Sequence, residues 1–227
     1  VRRAVTGGAD PLPVALAALT LVSGCVDAVS LLALGHVFTA NMTGNVVILG
    51  LATAGADGFS ATASLTSLLA FLAGAVMGGR IAVHARTRRS RVLVTLAAES
   101  AAAAAAAGVA ALIPPDAEGR RPLVIAVVAI GMGLQNAIVR MLAVPDLTTT
   151  VLTRTLTGLA AESTLGGGAN PRALRRLSSV LAIFVGACAG AVLLRYLAPG
   201  WILLGVAVCV ALIATGYAFH PASCQER

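Results

Sequence analysis

Lysine is absent from this 227-residue chain, and aspartate and glutamate together number only nine. All 16 basic residues are therefore arginine. Charged residues make up 11% of the chain, against about 25% in an ordinary soluble domain. That is too few to clothe a surface that faces water. Aromatic residues are equally sparse at 4%, and none interleaves with the arginines. This excludes a nucleic-acid surface built on stacking and charge. The three histidines, His36, His84 and His220, are scattered and lack metal-ligand spacing. The four cysteines, Cys25, Cys188, Cys209 and Cys224, form no C-x-x-C pair, so neither a zinc site nor a disulfide framework is indicated. Three of them lie inside apolar runs and read as small packing residues. No G-x-S-x-G, H-E-x-x-H or P-loop occurs. The expectation is a protein that is not an enzyme and holds no metal or cofactor.

What the chain does have is apolar sequence. Hydrophobic residues reach 58%, and the mean hydropathy is +0.93. A bilayer-spanning helix needs about 20 mostly apolar residues. Six segments qualify: Leu12–Leu34, Ser60–Ala85, Val92–Ile113, Leu123–Val144, Leu174–Leu197 and Trp201–Phe219. The run around Val22-Ser23-Gly24-Cys25 has the look of a lipoprotein cleavage box. It continues to Leu34, however, and Asp10 and two prolines interrupt its leader, so it reads as the first span. Two shorter, more polar segments remain, Ala40–Ala56 and Thr148–Leu165. The predicted fold is an all-α transmembrane bundle of six spans plus two short polar helices, re-entrant or half-length, in a single membrane domain.

An internal repeat organises these pieces. Gly24 and Asp27 match Gly133 and Asn136; Thr43 and Asn45 match Thr153 and Thr155; Gly74, Ala75 and Gly78 match Gly186, Ala187 and Gly190. The offset drifts from 109 to 112, as short loop insertions would make it. The two copies are 12–113 and 123–219. The runs Gly74–Gly78 and Gly186–Gly190 are G-x-x-x-G faces that let another backbone approach closely. They read as helix packing seams, with a substrate-lining or dimer role as the alternatives.

Arginine distribution addresses topology. If neither short segment crosses fully, Arg2, Arg3, Arg86, Arg88, Arg89, Arg91, Arg172, Arg175, Arg176 and Arg227 fall on one side and only Arg120 and Arg121 on the other, ten against two. If both cross, the basic loop at 86–91 changes sides and the count falls to eight against four. Six crossings are favoured, with both termini on the arginine-rich, cytoplasmic side. Each copy then crosses three times and the copies are inverted, a frequent transporter architecture.

Candidate site residues follow from polarity placed in apolar surroundings. In Phe38-Thr39-Ala40-Asn41-Met42-Thr43-Gly44-Asn45, asparagine and threonine are helix-capping types and Gly44 permits a tight turn. Asn41 and Asn45 share a helix face and could hold a ligand, or simply satisfy backbone. In the second copy, Thr150, Thr153, Arg154 and Thr157 have i, i+3, i+4, i+7 spacing and form one polar stripe. Arg154 should face protein, water or an anion, with an ion pair to Asp27, Glu99 or Glu162 as the structural alternative. Asp27 lies deep in the first span, and its counterpart Asn136 stands beside Gln135. Asp27 could carry a proton or balance Arg154. Glu99, Arg80 and Arg140 are expected nearer span ends, with charged heads reaching outward.

The stretches G-C-V-D-A-V-S-L-L-A-L-G-H-V-F-T-A-N-M-T-G-N from Gly24 to Asn45, and G-M-G-L-Q-N-A-I-V-R-M-L-A-V-P-D-L-T-T-T-V-L-T from Gly131 to Thr153, resemble the YoaK-type family of bacterial integral membrane proteins, which carry a domain of unknown function. The likeness covers roughly Leu12 to Phe219. It implies about six membrane helices in a bacterial inner membrane and supplies no substrate. Arg154 stands where the family pattern implies a small residue, so its charge reads as local to this chain. The functional expectation is a transporter or channel for a small solute, with a midplane site between two capped short helices, suited to an anionic or carboxylate group. The alternative is a non-transporting scaffold that packs through its G-x-x-x-G faces. Expected partners are the lipid bilayer, a small solute and a second copy of the chain, with no nucleic acid.

Overall fold

The computed structural model describes residues 11–85, 87–142, 152–170 and 172–220. Eight α-helices and no strand occur among them: α1 (Leu12–Ala33), α2 (Met42–Thr53), α3 (Ala61–His84), α4 (Arg88–Leu112), α5 (Arg120–Leu142), α6 (Leu152–Ala161), α7 (Ala173–Leu193) and α8 (Pro199–Phe219). Six of these, all but α2 and α6, are long and apolar enough to cross a membrane.

Helix starts follow capping chemistry. Asn41 Oδ1 accepts from Gly44 N at 3.4 Å, Ser60 Oγ from Ala63 N at 3.2 Å, and Thr87 Oγ1 from Ser90 N at 3.0 Å. Each occupies an amide that the helix itself leaves without an acceptor. The Thr87 cap starts α4 at Arg88, one turn before the apolar run begins at Val92. That shift corrects the expected position of Glu99. It is the twelfth of 25 residues, at the helix centre, and is buried.

Helices α1, α4, α5 and α8 contribute the main apolar core. Burial of the spanning windows, 61% for α1 and α5 but 22% for α7 and 28% for α3, makes α3 and α7 peripheral. Accordingly α3 packs on α5 and α7 on α1, while α4 packs on α5 and α8, and α1 also meets α8. The short helices sit outside these pairs, α2 on α3 and α6 on α7, and share no packing face with each other.

Glycine explains the closeness of the two peripheral pairs. On α7, a Cβ at Gly186 would collide with the Leu21 carbonyl, and one at Gly190 would stand 2.7 Å from the Cys25 oxygen. On α3, a Cβ at Gly74 would collide with the Ile130 carbonyl, and one at Gly78 would stand 2.6 Å from the Leu134 oxygen. Gly24 meets the Ile183 carbonyl in the first pair, and Gly133 meets that of Phe71 in the second. Both G-x-x-x-G faces are thus occupied within the chain.

Candidate functional site

The connection between α1 and α2 folds back alongside the helices it joins. Asp27 lies six residues before the end of α1, and Ser67 six residues after the start of α3. At a 1.5 Å rise per residue, both are about 9 Å inside their helix ends. Segment 38–40 is bound to both. Asp27 Oδ1 accepts from Thr39 N at 2.9 Å and Ala40 N at 2.8 Å. Asn45 accepts from Phe38 N through Oδ1 at 2.8 Å, and its Nδ2 donates to Phe38 O at 2.6 Å. Ser67 Oγ donates to the same carbonyl at 2.6 Å and receives Asn45 Nδ2 at 3.0 Å. Ser30 and Thr39 hydroxyls lie 3.4 Å apart. The non-helical amides of 38–40 are therefore satisfied by side chains, as burial requires.

A cavity of about 440 Å³ borders this segment. Ser23, Gly24, Asp27, Ala28, Leu31 and Leu32 of α1 line one wall, and Ile183, Phe184, Ala187, Cys188 and Ala191 of α7 another; Phe38 and Asn41 complete it. Ser23 donates its hydroxyl to Leu19 O at 2.9 Å. The polar character of the cavity comes mainly from Asp27 and Asn41, set against an apolar wall.

The structure brings together only part of the predicted site. Asp27 and Asn41 meet at the cavity. Asn45 shares a helix face with Asn41 but is buried against Phe38 and Ser67. Thr43 is exposed, and Gly44 packs against the Phe38 ring, where a Cβ would not fit. Gln135 is fully buried on α5, and the adjacent Asn136 donates to Met132 O at 2.8 Å. On α6, Thr153, Arg154 and Thr157 are exposed; Thr150 lies outside the described residues. Arg154 pairs with none of the three expected carboxylates. Asp27 faces segment 38–40, Glu99 has no hydrogen-bond partner among the described residues, and Glu162 binds Arg176. Two residues were not singled out from the sequence. Ser67 carries no signal, being one serine in an apolar helix. Arg176 could have been noticed as the innermost of three arginines opening a span.

Arg176 anchors α6. Its side chain is 6% exposed and grips Glu162 with both nitrogens, at 2.8 and 2.9 Å. Nη1 also donates to Gly158 O at 2.7 Å, so the guanidinium caps the end of α6. Because Glu162 is half exposed, its charge contributes little; the buried guanidinium bonds matter more. Arg176→Ala is expected to destabilise the α6–α7 contact by about 1–3 kcal/mol, and Glu162→Gln by less. Limited proteolysis of the 162–172 connection measures both.

These six spans define a polytopic α-helical membrane protein, embedded in a lipid bilayer. The chain belongs to the family described as protein of unknown function (DUF1275), whose model matches residues 15–216. It is similar to the UPF0700 transmembrane protein YoaK of Bacillus subtilis (strain 168), with 34% identity over 152 residues. That match spans 65% of this chain and 65% of the relative's length. No solved structure matches.

Proposed function

We propose that the chain moves a small solute across the membrane, along the α1–α7 face beside segment 38–41. The observation that carries this reading is the pair of bonds from Thr39 N and Ala40 N to Asp27. They hold non-helical backbone about 9 Å inside the helix ends. At membrane depth such backbone is tolerated where it is buried in protein or lines a cavity, and here it borders one of about 440 Å³. On this reading α2 is a re-entrant half-helix and the chain crosses six times.

We take segments 12–113 and 123–219 as inverted repeats. Support comes from the glycine contacts: Gly24 with Ile183 recurs as Gly133 with Phe71, and Gly186 with Leu21 recurs as Gly74 with Ile130, at the offsets of 109 and 112. Helix pairs also exchange consistently, α1–α7 with α5–α3, and α2–α3 with α6–α7. Three crossings per copy make the relation an inverted one.

The solute class follows from the lining. The lining holds the Asp27 carboxyl and no basic side chain, so nothing in it favours an anionic solute. Beyond its bonds to residues 39 and 40, Asp27 keeps acceptor capacity on its second carboxyl oxygen, and Asn41, whose oxygen caps α2, keeps its amide NH₂, both beside Leu31, Leu32, Phe38 and Phe184. A small solute with a hydrogen-bond donor, such as an amine, and an apolar body fits best. The scaffold alternative loses its main feature, because both G-x-x-x-G faces are used internally.

In a chain whose native cysteines are replaced by alanine, Asn41→Cys is expected to react with a small membrane-impermeant thiol reagent, and Ser67→Cys, which is buried, is not. Small amines should slow the labelling of Asn41→Cys, and small carboxylates should not. An unreactive Asn41→Cys removes the water-filled path.

A further inference from the structure

Glu99 sits at the centre of α4 and is 3% exposed, and neither carboxyl oxygen has a protein partner. Val26, Val128, Gly131, Met132, Leu203 and Val206, from α1, α5 and α8, surround it and enclose a space of about 10 Å³. That admits about one water and no organic solute. A metal cation would need several oxygen ligands, and this wall offers none.

The polar exception nearby is Gln135 on α5, fully buried, with both amide atoms lacking a protein partner. Gly131 faces Ala102, and Ala98 packs against the Leu134–Ile138 cluster, so Gln135 and Glu99 stand at the same level of the α4–α5 pair. Along α4, Arg91, Thr95 and Glu99 recur every fourth residue and share one face. Thr95 is itself buried and donates to Arg91 O at 2.7 Å. Thr95 thus stands one turn from Glu99 on the side of the arginine-bearing end of α4, with no bond between the two. No titratable group on the surrounding helices bonds to Glu99. Asp27 of α1 is engaged with segment 38–40, and Arg120 of α5 donates to Ala110 O. Arg140 of α5 and Cys209 of α8 are exposed, and Cys25 of α1 is buried. Burying a carboxyl group with neither a hydrogen bond nor a counter-ion is costly, and the enclosed space admits nothing larger than a proton or one water.

We propose that Glu99 is a proton-binding site in the α1–α4–α5–α8 core, separate from the Asp27 cavity, and that it exchanges one proton with water along the Arg91–Thr95 face. Coupling of that proton to solute movement rests on the transport reading; occupancy and exchange do not. Infrared spectroscopy of the purified protein in lipid nanodiscs tests them. At neutral pH the wild type should show a carboxylic-acid C=O band that moves to lower frequency in D₂O. Glu99→Gln, which keeps the shape of the neutral acid, should lose it, and Asp27→Asn should retain it. Carboxylate bands assigned to Glu99 in place of the acid band overturn the proposal, as does an acid band that never shifts in D₂O. Should Glu99→Gln fail to fold, Glu99→Asp replaces it, and an unmoved band is then the refuting result. The measurement needs no flux, so an unreactive Asn41→Cys would leave it standing.

Discussion

Gly186→Val is expected to yield no stably folded protein, and Gly186→Ala to lower the thermal midpoint in detergent by several degrees. A Cβ at this position would meet the carbonyl of Leu21 and approach Cys25 N. Both are main-chain atoms of a helix, so no side chain can rotate aside. Overfilling a packed interior costs about 1–3 kcal/mol when neighbours can adjust. A backbone neighbour cannot adjust without moving α1 away from α7, which places the effect at or above that range. At this chain length each kcal/mol shifts the midpoint by about 2–4 °C. Gly205→Ala is the control. Nothing lies within 4 Å of a Cβ there, and alanine gains helix propensity of up to about 1 kcal/mol over glycine. Equal midpoints for Gly186→Ala and Gly205→Ala would show that the seam does not need glycine.

Asp27→Leu is expected to release segment 38–41 from α1, and Asp27→Asn is not. Leucine removes the acceptor of both Thr39 N and Ala40 N. Each orphaned amide costs about 1–3 kcal/mol, so the two together represent much of an ordinary fold's margin of about 5–15 kcal/mol. Asparagine keeps one acceptor oxygen at the same reach and loses only the charge assistance. The measurement is the reactivity of Ser67→Cys together with the thermal midpoint. In the Asp27→Leu background the thiol should become accessible as Phe38 withdraws, and the midpoint should fall. In the Asp27→Asn background both should stay near the parent. On the transport reading, both variants lose flux, and only the leucine variant loses structure. A Ser67→Cys thiol that stays protected in Asp27→Leu would mean that the Asn45 bonds to Phe38 hold the segment without Asp27.

Individual residues show where sequence reasoning reaches and where it stops. Asn41 is legible as a cap because the amide it accepts, Gly44 N, is three residues away. The glycine pairs at 74–78 and 186–190 are legible as close-contact faces because spacing alone puts them on one side of a helix. Asn45 is different. Its spacing from Asn41 suggested a shared ligand face, yet its partners are Phe38, reached around a turn, and Ser67, 22 residues on. Nothing in the intervening residues announces that pairing. Hydropathy puts Glu99 near a span end because the apolar run begins at Val92, whereas the helix begins at the Thr87 cap. Arg154 drew attention as a cation in an apolar chain, but α6 lies on the outside of α7 and leaves it exposed.

Contiguous residues alone determined the six long apolar helices, the short capped helix at 42–53 and the small-residue faces. Transfer free energy adds up along a run, and a cap acts within one turn, so both are written locally. Tertiary packing decided which glycine face meets which helix, that α2 and α6 dock on different neighbours, and that Asp27 and Asn41, not Asn45, border the cavity. Those outcomes depend on backbones tens of residues apart coming within van der Waals reach, where one carbonyl or one methyl group selects the arrangement.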